Sequence, residues 1–84
     1  MDRLNAIRLL QALVAAGANS DVPMANAWIT KIALEIGLKG GEFHSAIAYA
    51  GRQDWLDNNQ KEGWTSLTSV GETFARAGTY SQSP

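Results

Sequence analysis

Between positions 2 and 16 apolar residues recur at three- and four-residue steps. Leu4, Ile7, Leu10 and Val14 form the series, Leu9 and Leu13 widen it, and Arg3, Arg8 and Gln11 occupy the rest. That period predicts an amphipathic helix over 2–16, with Asp2 as its N-cap and Gly17 just past its end. The stripe is broad for a one-sided surface helix. Either the domain wraps the helix on two sides, or one side meets another chain.

The run 18–23 collects Asn, Ser, Asp and Pro and reads as a loop. A second helix is predicted from Pro23 or Met24 to Ile36, because Pro suits a first helical turn and Gly37 suits the C-terminal cap. Ile29, Ile32 and Ile36 mark its buried face with Trp28 alongside as a core filler, and Lys31 and Glu35 are neighbours on the wet face. Gly37-Leu38-Lys39-Gly40-Gly41 breaks the chain, with Leu38 tucked inward. A third helix over 42–51 turns Phe43, Ile47 and Ala50 inward and leaves Glu42, Ser45, Tyr49 and Arg52 on or near the opposite face, with His44 and Ala48 flanking.

After Gly51 the period changes. Asp54-Trp55-Leu56-Asp57 and Trp64-Thr65-Ser66-Leu67 have strand composition, and the hydrophilic run from Asn58 to Gly63 between them reads as a turn, so a hairpin is predicted. Trp55 and Trp64 are expected to face each other across it. Thr68 or Ser69 caps a last helix, Ser69-Val70-Gly71-Glu72 fits a capping box, Phe74 anchors the helix to the core, and Gly78 ends it. The expected organisation is a single domain over 1–78 with a flexible tail over 79–84.

The chain has 84 residues, enough for one core. With 45% hydrophobic and 18% charged residues it carries less charge than the roughly 25% usual for soluble domains, so it is expected to fold rather than remain disordered. A formal charge of -1 excludes nucleic-acid binding through bulk positive charge, though not through a local basic patch. With no Cys and one His, the sequence excludes disulfide scaffolds, thiolate nucleophiles, Cys/His zinc sites and iron–sulfur clusters. No stretch reads as a membrane span or a signal peptide, so a cytoplasmic address is expected.

From Gly37 onward the sequence resembles the winged-helix branch of the helix-turn-helix domains. Trp55-Leu56, followed eleven residues later by Leu67-Thr68-Ser69-Val70-Gly71, is similar to the "G-W-hydrophobic, variable wing, L-T-x-x-G" run of many bacterial winged-helix regulators. Element order extends the likeness over most of the chain, and residue identity is sharpest in its C-terminal third. The pattern departs where Arg52-Gln53-Asp54 precedes Trp55, since the usual Gly before the Trp is found instead at Gly51. The resemblance implies a mainly α fold with a small β-hairpin (α+β), in the order helix-helix-helix-strand-strand-helix, with the third helix for recognition and the hairpin as wing.

That geometry nominates a set of DNA-contacting residues. Ser45 and Tyr49 would face bases, His44 would stand near the start of the third helix, and Lys39 would position the helix N-terminus. Arg52 and Lys61 would anchor phosphates, and Asn59, with Asn58 and Gln60, would occupy the wing tip; Lys31 adds a cation on the second helix. Glu42, Asp57 and Glu62 oppose that reading by placing carboxylates near the same surfaces. The alternative is a winged-helix protein-interaction or dimerisation module, supported by Ala46, Ala48 and Ala50, the wide first-helix stripe and three Trp. Double-stranded DNA and a homodimer or other protein chain are thus the expected partners.

An enzyme is not expected. His44 and Ser45 are adjacent on a helix and diverge, and no carboxylate pair has a spacing that argues for acid–base work. The glycines around Lys39 match neither phosphate-loop spacing and follow a helix rather than a strand. No cofactor and no metal are implied.

Overall fold

In the computed structural model, which describes residues 2–57 and 62–81, the chain runs α1 (Asp2–Ala15), β1 (Met24–Ala25), α2 (Asn26–Glu35), α3 (Gly41–Arg52), β2 (Leu56–Asp57), β3 (Trp64–Leu67) and α4 (Ser69–Ser81). The fold is mainly α with a small antiparallel sheet, and three helices precede the hairpin and the last helix as the sequence predicts. The sheet has one strand more than predicted. Its order is β1-β3-β2, with Met24 opposite Thr65, Ala25 opposite Trp64, Leu56 opposite Leu67 and Asp57 opposite Ser66.

Pro23 and Met24 therefore do not open the second helix. Met24 is buried and paired with β3, Ala25 is extended at φ -66° and ψ 135°, and the Asn26 N–H donates to the Gly63 carbonyl at 2.9 Å. Those backbone groups go to a distant strand, so the helix starts at Asn26. Arg8 Nη2 then donates to the Ile36 carbonyl at 2.7 Å and ties the far end of α2 to α1.

The buried face of α1 is Ala6, Leu9, Leu10 and Leu13, with Asn5. It is rotated from the predicted stripe: Leu4 is 51% exposed, and Ile7 and Val14 are only partly covered. On α3 the fully buried positions are Ala46 and Ala50, while Phe43 and Ile47 pack at the edge. The small Ala46 and Ala50 let the α3 backbone come close to the leucine face of α1, and α1 packs most extensively on α3 and next on α4.

Three helices end in one device. The residue at C′ has positive φ and donates to the third carbonyl back, and the next residue donates to the fifth and is buried. In α1 these are Gly17 to Val14 at 3.0 Å and Ala18 to Leu13 at 2.9 Å; in α2, Gly37 to Leu34 at 3.1 Å and Leu38 to Ala33 at 2.8 Å. In α3 they are Asp54 to Gly51 at 3.1 Å and Trp55 to Ala50 at 2.9 Å, with Asp54 at φ 61°. Asp54 thus takes the left-handed position directly before the Trp where the winged-helix pattern has Gly.

Trp55 does not meet Trp64. It is buried and stacks on Phe74 with ring centroids 4.6 Å apart and planes 19° apart, whereas Trp64 lies opposite Ala25 and is 43% exposed. Thr68 N–H donates to the Trp55 carbonyl at 3.0 Å; its hydroxyl donates to the Asp54 carbonyl at 2.6 Å and accepts the Gly71 N–H at 2.9 Å. Thr68 is therefore the cap of α4. Glu72 does not close the predicted box with Ser69: its Oε1 accepts the Ser20 N–H at 2.6 Å and its Oε2 accepts Arg76 Nε at 2.9 Å. Nor does Gly78 stop α4, which continues to Ser81. Among the described residues no helix is long and apolar enough to cross a membrane.

Candidate nucleic-acid interface

Helical geometry sorts the third helix into three faces. At 3.6 residues per turn, each step rotates by about 100°, so His44, Ala48 and Arg52 line up along one side with Ser45 beside them. His44, Ala48 and Arg52 are exposed and Ser45 is half-buried, opposite the buried Ala46 and Ala50. Lys39 stands exposed in the turn before this ridge. Gly40 at the N-cap makes no side-chain cap, so the first-turn N–H groups are not taken by a side chain there.

Glu42 does not belong to the line His44-Ala48-Arg52. It lies one turn before Ser45 and about 60° around the helix from it, and about 120–160° from Ala48 and His44, on the flank it shares with Tyr49. The line His44-Ala48-Arg52 therefore carries an imidazole, a methyl and a guanidinium, with the Ser45 hydroxyl and then the Glu42 carboxylate on its Tyr49 side.

Tyr49 is the main departure from the predicted site. Its side chain is half-buried rather than outward, its ring 5.7 Å from that of Trp55 and its hydroxyl accepting Arg3 Nη1 at 3.2 Å. Arg52, one turn on, holds its guanidinium 5.8 Å from the centre of the Tyr49 ring. Arg3 also stands 5.7 Å from the Trp55 ring and 5.9 Å from the Phe74 ring. The fold thus gathers Arg3 and Arg52 on one tyrosine. The sequence put Arg3 only on the polar side of α1, and no local signal joins residue 3 to residue 49; the pairing comes from α1 packing across α3.

Of the remaining predicted residues, Lys31 is exposed on α2. Asn58, Asn59, Gln60 and Lys61 lie outside the described residues. Beside His44 a cleft of about 300 Å³ opens between α2, α3 and β3, with Ile29, Phe43 and Ile47 as its apolar part. At its polar edge the Thr65 hydroxyl donates to Asn26 Oδ1 at 2.7 Å. This cleft is lined by no lysine or arginine side chain that could hold a phosphate. Among the described residues no group of three or more His, Asp or Glu side chains is arranged to hold a metal ion.

The electrostatics are correspondingly simple. The one described salt bridge, Arg76 to Glu72, sits on α4, and among the described residues Lys39, Arg52 and Arg3 have no carboxylate partner. Unpaired cations along α3 and its flank can bind an anion without first breaking an internal ion pair. Compared with protein-family models, with curated proteins and with solved structures, the chain has no significant match.

Proposed function

We propose that the protein is a small winged-helix DNA-binding regulator, with α3 entering the major groove and the β2–β3 hairpin against the flanking backbone. The observation that carries this reading is the exposed line His44-Ala48-Arg52, which carries no carboxylate and has Ser45 beside it and Lys39 in the turn before. A helix entering the major groove needs short or hydrogen-bonding side chains toward the bases and cations toward the phosphates. The Ala48 methyl permits close approach and suits a thymine methyl, Ser45 accepts or donates to either base type, and Arg52 and Lys39 bracket the ridge with positive charge. The likeness of Trp55-Leu56 and Leu67-Thr68-Ser69-Val70-Gly71 to the winged-helix run supports the same assignment. An address with access to the chromosome, the cytoplasm, follows from it.

The test is equilibrium binding to duplex DNA at two salt concentrations. About four phosphate contacts give a shallow dependence, a loss of roughly tenfold in affinity when salt is doubled. Arg52→Glu combined with Lys39→Glu should abolish binding while the protein remains folded. Salt-independent or undetectable binding by the unaltered protein refutes the reading.

The interaction-module reading is favoured by exposed apolar side chains away from α3. Leu4 and Val70 are 51% and 54% exposed, and Val70 adjoins the half-buried Phe74 along α4. A concentration-dependent homodimer with no duplex affinity would establish that reading in place of the first.

A further inference from the structure

We infer that Arg3 and Arg52, gathered on Tyr49, form a clamp for the phosphodiester backbone on the flank of α3. The inference rests on the DNA-binding reading and adds to it a residue from the first turn of α1. Three observations carry it. Arg3 donates to the Tyr49 hydroxyl at 3.2 Å, and Arg52 lies 5.8 Å from the same ring, so one aromatic side chain orients both guanidinium groups. Arg3 is also braced against Trp55 and Phe74, themselves stacked at 4.6 Å, so its planar fork rests on a rigid base. Finally, both arginines are exposed, and among the described residues neither is paired with a carboxylate.

An arginine held by aromatic contacts but lacking an acid partner keeps its donors free in a fixed orientation, which lowers the ordering cost of binding a planar or tetrahedral anion. Asp2 and Asp54 are close in sequence, yet neither is within ion-pair distance of either guanidinium. Glu42 shares the Tyr49 flank but stands about two helical turns away. A phosphodiester is the favoured occupant because Arg52 also stands on the outward ridge, so a strand held along that ridge comes to the Arg52 end of the pair. Tyr49 is then a positioning residue rather than a reader of bases.

The experiment measures duplex affinity against salt for Arg3→Gln, Arg3→Lys and Tyr49→Phe, together with a titration by inorganic pyrophosphate followed through the arginine Nε–Hε signals. Arg3→Gln should weaken duplexes of unrelated sequence by one common factor of roughly three to ten and lower the salt slope by about one. Arg3→Lys, which keeps the charge and loses the fork, should restore the slope and only part of the affinity. Tyr49→Phe should weaken binding with the slope unchanged. Pyrophosphate should shift the Arg3 and Arg52 signals together. If Arg3→Gln folds with the Trp55 and Phe74 signals intact and binds DNA as the unaltered protein does, the clamp is overturned while the α3 reading stands. If pyrophosphate shifts both signals but no duplex binds, the DNA reading and the phosphodiester occupant both fall.

Discussion

Gly71 on α4 faces the backbone carbonyl of Trp55 so closely that a Cβ at position 71 would overlap it. Glycine inside a helix ordinarily costs about 0.5–1 kcal/mol relative to alanine, so Gly71→Ala would stabilise an isolated helix. Here the obstructing atoms are backbone, held by the Thr68 hydrogen bond to the same carbonyl, and the side chain has nowhere to go. Gly71→Ala should therefore destabilise the fold by about 2–3 kcal/mol, lowering Tm by roughly 10–20 °C. Thermal unfolding decides the sign, and a neutral or stabilising result would mean that α4 is free to shift away from Trp55.

Asp54 makes the converse case. At φ 61° it holds a conformation that costs an L-residue roughly 1–2 kcal/mol, reduced for Asp by its short polar side chain. Asp54→Gly should stabilise by about 0.5–1 kcal/mol, and Asp54→Val should destabilise by more than about 1 kcal/mol. Chemical denaturation of the two variants checks this ordering. Equal stability of the two would contradict the helix-end geometry assigned to α3.

Glu72 links the 18–23 loop to α4, and the link is sensitive to acid. Its carboxyl is held below the ordinary glutamate value of 4.5, first by the Ser20 backbone N–H and then by Arg76, with burial acting the other way. A carboxylate with a depressed folded value stabilises the fold fully above its unfolded value and loses that contribution as pH falls through the folded one. Stability should thus begin to decline below about pH 4.5, and Glu72→Gln should flatten that part of the profile. Arg76→Gln should change it less, because the arginine is the more exposed partner and is screened by salt. An acid limb identical in Glu72→Gln and the unaltered protein would show that the loop is fastened otherwise.

Much of the architecture is written in local patterns. The three-helix order, Gly17 and Gly37 as helix ends, and a hydroxyl cap at Thr68 or Ser69 follow from residues a turn or less apart. The features that escape such reading depend on contacts distant in sequence. β1 is two residues long and preceded by Pro23, so it resembles a helical first turn until β3 arrives to pair with it. The α3 terminus is disguised because Asp54, not Gly, carries the positive φ.

The candidate site divides along the same line. His44, Ala48 and Arg52 share a face by helical spacing alone, whereas Tyr49 turns inward because Trp55 and Arg3 offer it a stacking surface and a donor. Periodicity assigns Tyr49 to an outer position; only the docking of α1 and the C-terminal bend of α3 fill the space beside it. Arg3 enters the site by that docking and by nothing in its own neighbourhood.

The most direct measurement is a map of backbone amide shifts on titration with a short DNA duplex. The account predicts perturbations concentrated at Lys39, His44, Ser45, Ala48 and Arg52, with a second group at Arg3 on the flank and little change at Val70 and Thr73 on α4. Shifts confined to the α4 face, or a protein indifferent to DNA at every position, would contradict it.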